Sequence, residues 1–78
     1  MLSRLKDLRE DRDLKQKDIA EVLKIAQRTY SSYETGNRMI PYTYLICLAK
    51  FYNTSIDYIV GLTDDQKPYK RKKEDFEQ

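Results

Sequence analysis

Between Gln16 and Glu34 the apolar residues recur at helical spacing, but the pattern is cut after Leu23 by three residues, Lys24-Ile25-Ala26, before it resumes at Gln27. So short a link leaves two helices no room to separate. They must pack on each other near a right angle, with a small residue at the crossing and the link's apolar residue wedged between them. Ala20 is that small residue, and Ile25 is the wedge. Ile19, Ala20, Val22 and Leu23 form the apolar side of the earlier helix, while Lys17, Asp18 and Glu21 face water. On the later helix Tyr30 and Tyr33 lie on one side.

The same periodicity places further helices around this pair. Leu5 and Leu8 mark a short first helix running to Arg12, with Ser3 placed to cap it and Asp13-Leu14 breaking the pattern. The third helix stops at Thr35-Gly36-Asn37, where glycine suits the left-handed conformation that ends a helix. Residues 38–41 form a connector, and Tyr44, Leu45, Leu48, Ala49 and Tyr52 repeat through a fourth helix that ends at Asn53-Thr54. Ser55 caps a last short helix with Ile56, Ile59 and Val60 as its buried face, closed by Gly61. With two Gly and two Pro in 78 residues, the chain lacks the turn residues that many short strands would need. The expected fold is all-α, five compact helices around one core, and at this length only about 60% of the unfolded surface can be buried.

Composition narrows the function. The domain is expected over residues 1–62, followed by a charged, flexible tail over 63–78 with too few apolar residues to pack. That tail sets Lys67, Lys70, Arg71, Lys72 and Lys73 against Asp64, Asp65, Glu74, Asp75 and Glu77, so it is neutral but split into a basic block and an acidic end. It reads either as a loose arm brushing nucleic acid or as a linker to a further domain. The net charge of +2 says little about a polyanionic partner, so the placement of charge must decide. There is no His, and the lone Cys47 sits among Leu45, Ile46, Leu48 and Ala49 as a small buried hydrophobe. Neither a catalytic site, a metal site nor a cofactor loop is legible. No apolar run reaches the length of a membrane span, and Met1-Leu2-Ser3-Arg4 lacks the start of a signal peptide, so a cytoplasmic location is expected.

Burying Tyr30 and Tyr33 turns Gln27, Arg28, Ser31 and Ser32 outward on the third helix. No carboxylate interrupts that face. It suits the major groove of DNA, where Gln pairs with adenine in two-point fashion, Arg with guanine, and hydroxyls with bases or phosphates. Polar faces are also common on ordinary surface helices, so the composition of the face alone does not choose.

From about Arg4 to Leu62 the chain resembles the Cro and phage-repressor helix-turn-helix family. The resemblance rests on Gln16 opening helix two, Ile19-Ala20 inside it, Tyr33-Glu34-Thr35-Gly36 closing helix three, and Ser55-Ile56-Asp57-Tyr58 near the end. It implies a lambda-repressor-like domain whose helix-turn-helix lies at helices two and three, acting as a homodimeric transcription repressor on double-stranded DNA with a two-fold symmetric operator. By matched position, Gln27, Arg28 and Ser32 would face bases. Gln16, Lys17, Thr29, Ser31, Asn37 and Arg38 would hold phosphates, Gln16 together with the free N–H groups of its helix end. The resemblance further implies a structural ion pair between Arg9 and Glu34, and a dimer surface drawn from Tyr58, Ile59, Val60 and Leu62.

Three positions depart from the family pattern. Lys24 stands where Gly is common, so either a left-handed lysine is strained there or the turn is altered. Tyr30 and Tyr33 replace aliphatic residues, and their rings either pack or bring a hydroxyl to a phosphate. The connector carries one cation, Arg38, while Met39 and Ile40 either fold back on the core or serve a partner surface. The same fold also serves as a protein-binding module, such as an antitoxin or adaptor. Such a module would expose apolar anchors on helix three, and this chain offers none there.

Overall fold

The computed structural model describes residues 4–70. Its helices are α1 (Leu5–Asp11), α2 (Gln16–Leu23), α3 (Gln27–Thr35), α4 (Tyr42–Tyr52) and α5 (Ile56–Ile59), and no strand is present among the described residues. None of these helices is long and apolar enough to cross a membrane. Ser3, expected to cap α1, lies outside the described residues, and so does the tail from residue 71.

Helices this short are marginal alone and persist because each gives an apolar face to one core. Leu5 and Leu8 of α1, Ile19, Ala20 and Leu23 of α2, Tyr30 of α3, Leu45, Leu48, Ala49 and Tyr52 of α4, and Ile59 of α5 are buried together. Ile25 and Tyr33 pack against this cluster from its edge, and the Tyr33 ring lies 6.2 Å from that of Tyr44. Cys47 is half-buried there, short of the full burial its neighbours suggest. Val22 departs from expectation: it sits on the margin of the α2 apolar stripe and is exposed. In the connector Ile40 folds back on the core, whereas Met39 is 93% exposed.

Every helix is stopped by a residue with positive φ: Asp13 after α1, Lys24 after α2, Gly36 after α3, Asn53 after α4 and Gly61 after α5. At four of these stops the next residue's N–H reaches back to the helix's last turn, Leu14 to the Arg9 carbonyl, Ile25 to Ala20, Thr54 to Ala49 and Leu62 to Asp57, at 2.8 to 3.1 Å. This satisfies carbonyls that a helix end leaves open and reverses the chain within a residue or two. Lys24 therefore does adopt the left-handed conformation, at φ 58°, and the helix-turn-helix keeps its tight turn despite the lysine.

Arginines at both ends and in the middle of α1 tie it to the other helix ends. Arg4 donates to the Tyr58 carbonyl at 2.8 Å with its guanidinium 4.2 Å over the Tyr58 ring, and Arg12 donates to the Tyr52 carbonyl at 2.9 Å. Both cations sit at helix C-termini, where the aligned peptide dipoles favour positive charge. The segment 63–70, assigned to the tail on composition, contacts the helices: Arg4 pairs with Asp64, Thr54 Oγ1 donates to the Gln66 carbonyl at 2.6 Å, and the Tyr69 hydroxyl donates to Asp57 at 2.6 Å.

A left-handed residue with a Cβ is strained by about 1 kcal/mol, partly offset in glycine by greater freedom of the unfolded chain. Lys24→Gly is therefore expected to raise unfolding free energy slightly, by up to about 0.6 kcal/mol, in urea denaturation. An unchanged or lower midpoint would show that the turn is not strained.

Candidate nucleic-acid interface

The start of α2 and the start of α3 come together on one side of the molecule because the Lys24-Ile25-Ala26 turn packs the two helices on each other, with Ala20 buried. Gln16, Ala26, Gln27, Arg28 and Ser31 line one shallow hollow there. Lys17 and Gln27 border a neighbouring hollow with Asp18 and Glu21. Gln27 and Arg28 are fully on the surface, whereas Thr29, Ser31 and Ser32 are half-buried. Among the described residues Arg28 has no ion-pair partner. The Ser32 hydroxyl donates to the Arg28 carbonyl at 3.0 Å, leaving its oxygen lone pairs to accept.

Helix α3 has no capping side chain and no acidic residue in its first turn, and its N-cap is Ala26. Its first N–H groups are thus open toward the hollow, with the positive end of the helix dipole behind them. Ala26 escapes a reading of the sequence for polar residues. The available signal is the absence of Ser, Thr, Asp or Asn before Gln27, since a small apolar N-cap lets another molecule approach the backbone. At α2 the equivalent end is partly closed, because Asp18 accepts from the Lys15 N–H at 2.8 Å. The carboxylates of Asp18 and Glu21 border the neighbouring hollow on the α2 side.

Behind the hollow lies the Arg9 and Glu34 pair. Arg9 Nε donates to Glu34 Oε2 at 2.6 Å and Nη2 to Oε1 at 3.1 Å, with side chains 11% and 4% exposed. Arg9 Nη1 reaches the Leu14 carbonyl at 2.9 Å, and Gln16 Nε2 donates to Glu34 Oε1 at 3.0 Å. Burial opposes the charge on Glu34, but the hydrogen bonds from Arg9 and Gln16, the nearby Tyr30 hydroxyl and the Arg9 charge together outweigh it and hold the carboxyl below its ordinary value. Tyr30 is fully buried with its hydroxyl beside this carboxylate, though short of good hydrogen-bond geometry, and burial followed by Glu34 pushes its pKa well up. The Tyr30 hydroxyl therefore belongs to the core and is unavailable to a phosphate. Burial raises the Tyr52 hydroxyl to about 12.

Other expected site residues lie elsewhere. Asn37 and Arg38 are exposed beyond the end of α3, and Arg38 borders an apolar groove with Tyr33, Met39, Tyr42, Leu45 and Val60. At the expected dimer surface Ile59 is 0% exposed, so it serves the core and cannot meet a partner. Tyr58 is held under Arg4 and Val60 is half-buried, which leaves Leu62, at 77% exposure, as the freely presented apolar side chain.

Two helices joined by a tight turn, with the second presenting an uncapped, carboxylate-free polar face, define a helix-turn-helix domain. The helix-turn-helix family model matches residues 5–59, and the chain belongs to that family, in its Cro and phage-repressor form. It is 42% identical over 65 residues to the uncharacterized HTH-type transcriptional regulator YobD of Bacillus subtilis (strain 168), covering 83% of this chain and 58% of that protein. It is 36% identical over 59 residues to the cryptic phage CTXphi transcriptional repressor RstR of Vibrio cholerae, covering 76% of this chain and 53% of that one. A second B. subtilis regulator of the same type, YqaE, is 31% identical over 65 residues, 83% of this chain and 56% of the relative. The chain thus spans a little over half the length of these curated relatives. No solved structure gives a significant match.

Removing one partner of a shielded ion pair leaves the other charge uncompensated. Glu34→Ala is expected to lower stability by about 3 to 5 kcal/mol in a thermal or urea melt, and a variant as stable as the parent would show the pair to be idle. Because the folded pKa of Glu34 is depressed, its contribution is complete above the ordinary value of 4.5 and is lost as pH falls from there through the folded value. Stability measured from pH 6 down to pH 2 should therefore fall less steeply in Glu34→Gln than in the parent.

Proposed function

We propose that this chain is the DNA-binding domain of a transcription repressor that inserts α3 into the major groove of double-stranded DNA. The observation that carries this reading is the shared hollow of Gln16, Gln27, Arg28 and Ser31, which brings two amides, a guanidinium and a hydroxyl onto one surface with no carboxylate on its α3 side. Gln27 and Arg28, in the first turn of α3, read adenine and guanine edges, and Ser32 one turn further along supplies a hydroxyl. Gln16, Lys17, Thr29 and Ser31 hold the backbone on either side of the helix, and Asn37 and Arg38 hold it beyond the end of α3. The chain works as a homodimer on a two-fold symmetric operator, with half-sites about one helical turn apart. Leu62, Val60 and the edge of Tyr58 supply the subunit contact. The protein acts in the cytoplasm and has no catalytic role.

A second reading, a protein-binding module of the antitoxin or adaptor kind, is favoured by one feature, the apolar groove beside the exposed Met39 and Tyr42. Salt separates the two readings. Binding that neutralises phosphates weakens with a slope of about 0.9 per phosphate contact in a plot of log affinity against log salt, whereas an apolar groove responds little.

Selection from a random duplex pool at near-physiological salt is expected to enrich a two-fold symmetric motif; no enrichment by folded protein would overturn the reading. On the selected site Arg28→Ala should lose about 1 to 3 kcal/mol and relax the preference at one base position. Gln16→Ala should weaken all duplexes alike. Equal effects of both variants on every sequence would remove the assignment of Arg28 to a base.

A further inference from the structure

We infer that Glu34, with Arg9 behind it, is a positioning residue for DNA binding: it orients the Gln16 amide toward the phosphate before DNA arrives. The inference rests on the phosphate role proposed for Gln16. Glutamine amides on a surface ordinarily sample several orientations, and either the oxygen or the nitrogen can face a neighbour. Here the choice is made. Ionised Glu34 is an acceptor only, so the Gln16 nitrogen must face it, and the bond of 3.0 Å from Nε2 to Oε1 uses one of the amide's two hydrogens. The carboxylate cannot swing away, since its side chain is 4% exposed and Arg9 grips both of its oxygens. Arg9 is in turn anchored to the Leu14 carbonyl in the turn that launches α2.

The second Nε2 hydrogen remains for a ligand, on a side chain that borders the hollow shared with Gln27, Arg28 and Ser31. Charge matters as much as direction. A phosphate accepting from Gln16 comes within one side chain of Glu34, and an unneutralised carboxylate there would repel it. The Arg9 guanidinium cancels that charge from the core side, so the acid can orient the amide without opposing the anion. The conformational cost of fixing the Gln16 side chain is then met during folding instead of on binding.

The test is a double-mutant cycle in affinity for the selected duplex, with the parent, Gln16→Ala, Glu34→Gln and the double variant, at a temperature where all four are folded. Glu34→Gln removes the fixed acceptor, because its own amide can present either atom. Gln16→Ala is expected to weaken binding about tenfold in the parent but less than about twofold in the Glu34→Gln background. An equal loss in both backgrounds would overturn the inference and leave Glu34 a purely structural residue. A measurement on the unsubstituted protein covers the case in which Glu34→Gln does not fold. Nitrogen relaxation of the side-chain amides in free protein should show Gln16 nearly as rigid as the backbone and Gln27 mobile, and a mobile Gln16 would also overturn the inference. If the parent enriches no duplex, the DNA-binding reading falls and this inference with it; if it binds DNA and the cycle is additive, only this inference falls.

Discussion

A carboxylate taken out of water must be neutralised and hydrogen-bonded, and in this chain that demand falls on Glu34. Its partners come from three parts of the sequence: Arg9 from α1, Gln16 from the first position of α2, and through Arg9 the carbonyl of Leu14 in the turn between them. Meeting the needs of one acid therefore sets α1, α2 and the end of α3 relative to one another. Hydrophobic burial supplies the driving force for collapse, but leucine and isoleucine faces tolerate sliding and rotation that a forked arginine and carboxylate contact does not. The same arrangement brings the open ends of α2 and α3 to one surface.

The remaining helix ends are held by the same device in simpler form. Arg4 and Arg12 carry cations from the two ends of α1 to the last carbonyls of α5 and α4, so α1 touches the C-terminal end of each of the other helices that follow the helix-turn-helix. Sharp left-handed stops make such a compact arrangement possible, because at four of them the chain turns back within a residue or two. Two of the five stops are glycines; Asp13, Lys24 and Asn53 make the others. Asp and Asn tolerate this conformation through local hydrogen bonding, while Lys24 is held there by the bond from Ile25 to Ala20 and the burial of Ala20 beneath it.

The surface that results has an economy of charge. No acid lies in the first turn of α3, the one acid near its end is buried and neutralised by Arg9, and the acids of α2 lie to the side. Weak overall charge is thus compatible with a polyanion-facing surface, because it is the local field at the helix start that a phosphate meets.

The order and type of the helices, their caps at Ser55 and stops at Gly36 and Gly61, and the outward residues of α3 could all be read from the chain, because they depend on periodicity and local backbone preference over a few residues. Family resemblance brought Arg9 and Glu34 together across 25 positions of sequence, a pairing that local pattern could not reach. Only the tertiary structure decided between the buried-face and dimer-surface readings of Ile59 in favour of the core, that Val22 is marginal, that the Tyr30 hydroxyl turns inward, and that Arg4 and Arg12 cap distant helices. It also decided that Gln16 rests on Glu34. A sequence states which side of its own helix a residue occupies, but burial and partnership depend on what the other helices place against that side, here through long-range contacts such as Arg4 to Tyr58, Arg12 to Tyr52 and Arg9 to Glu34.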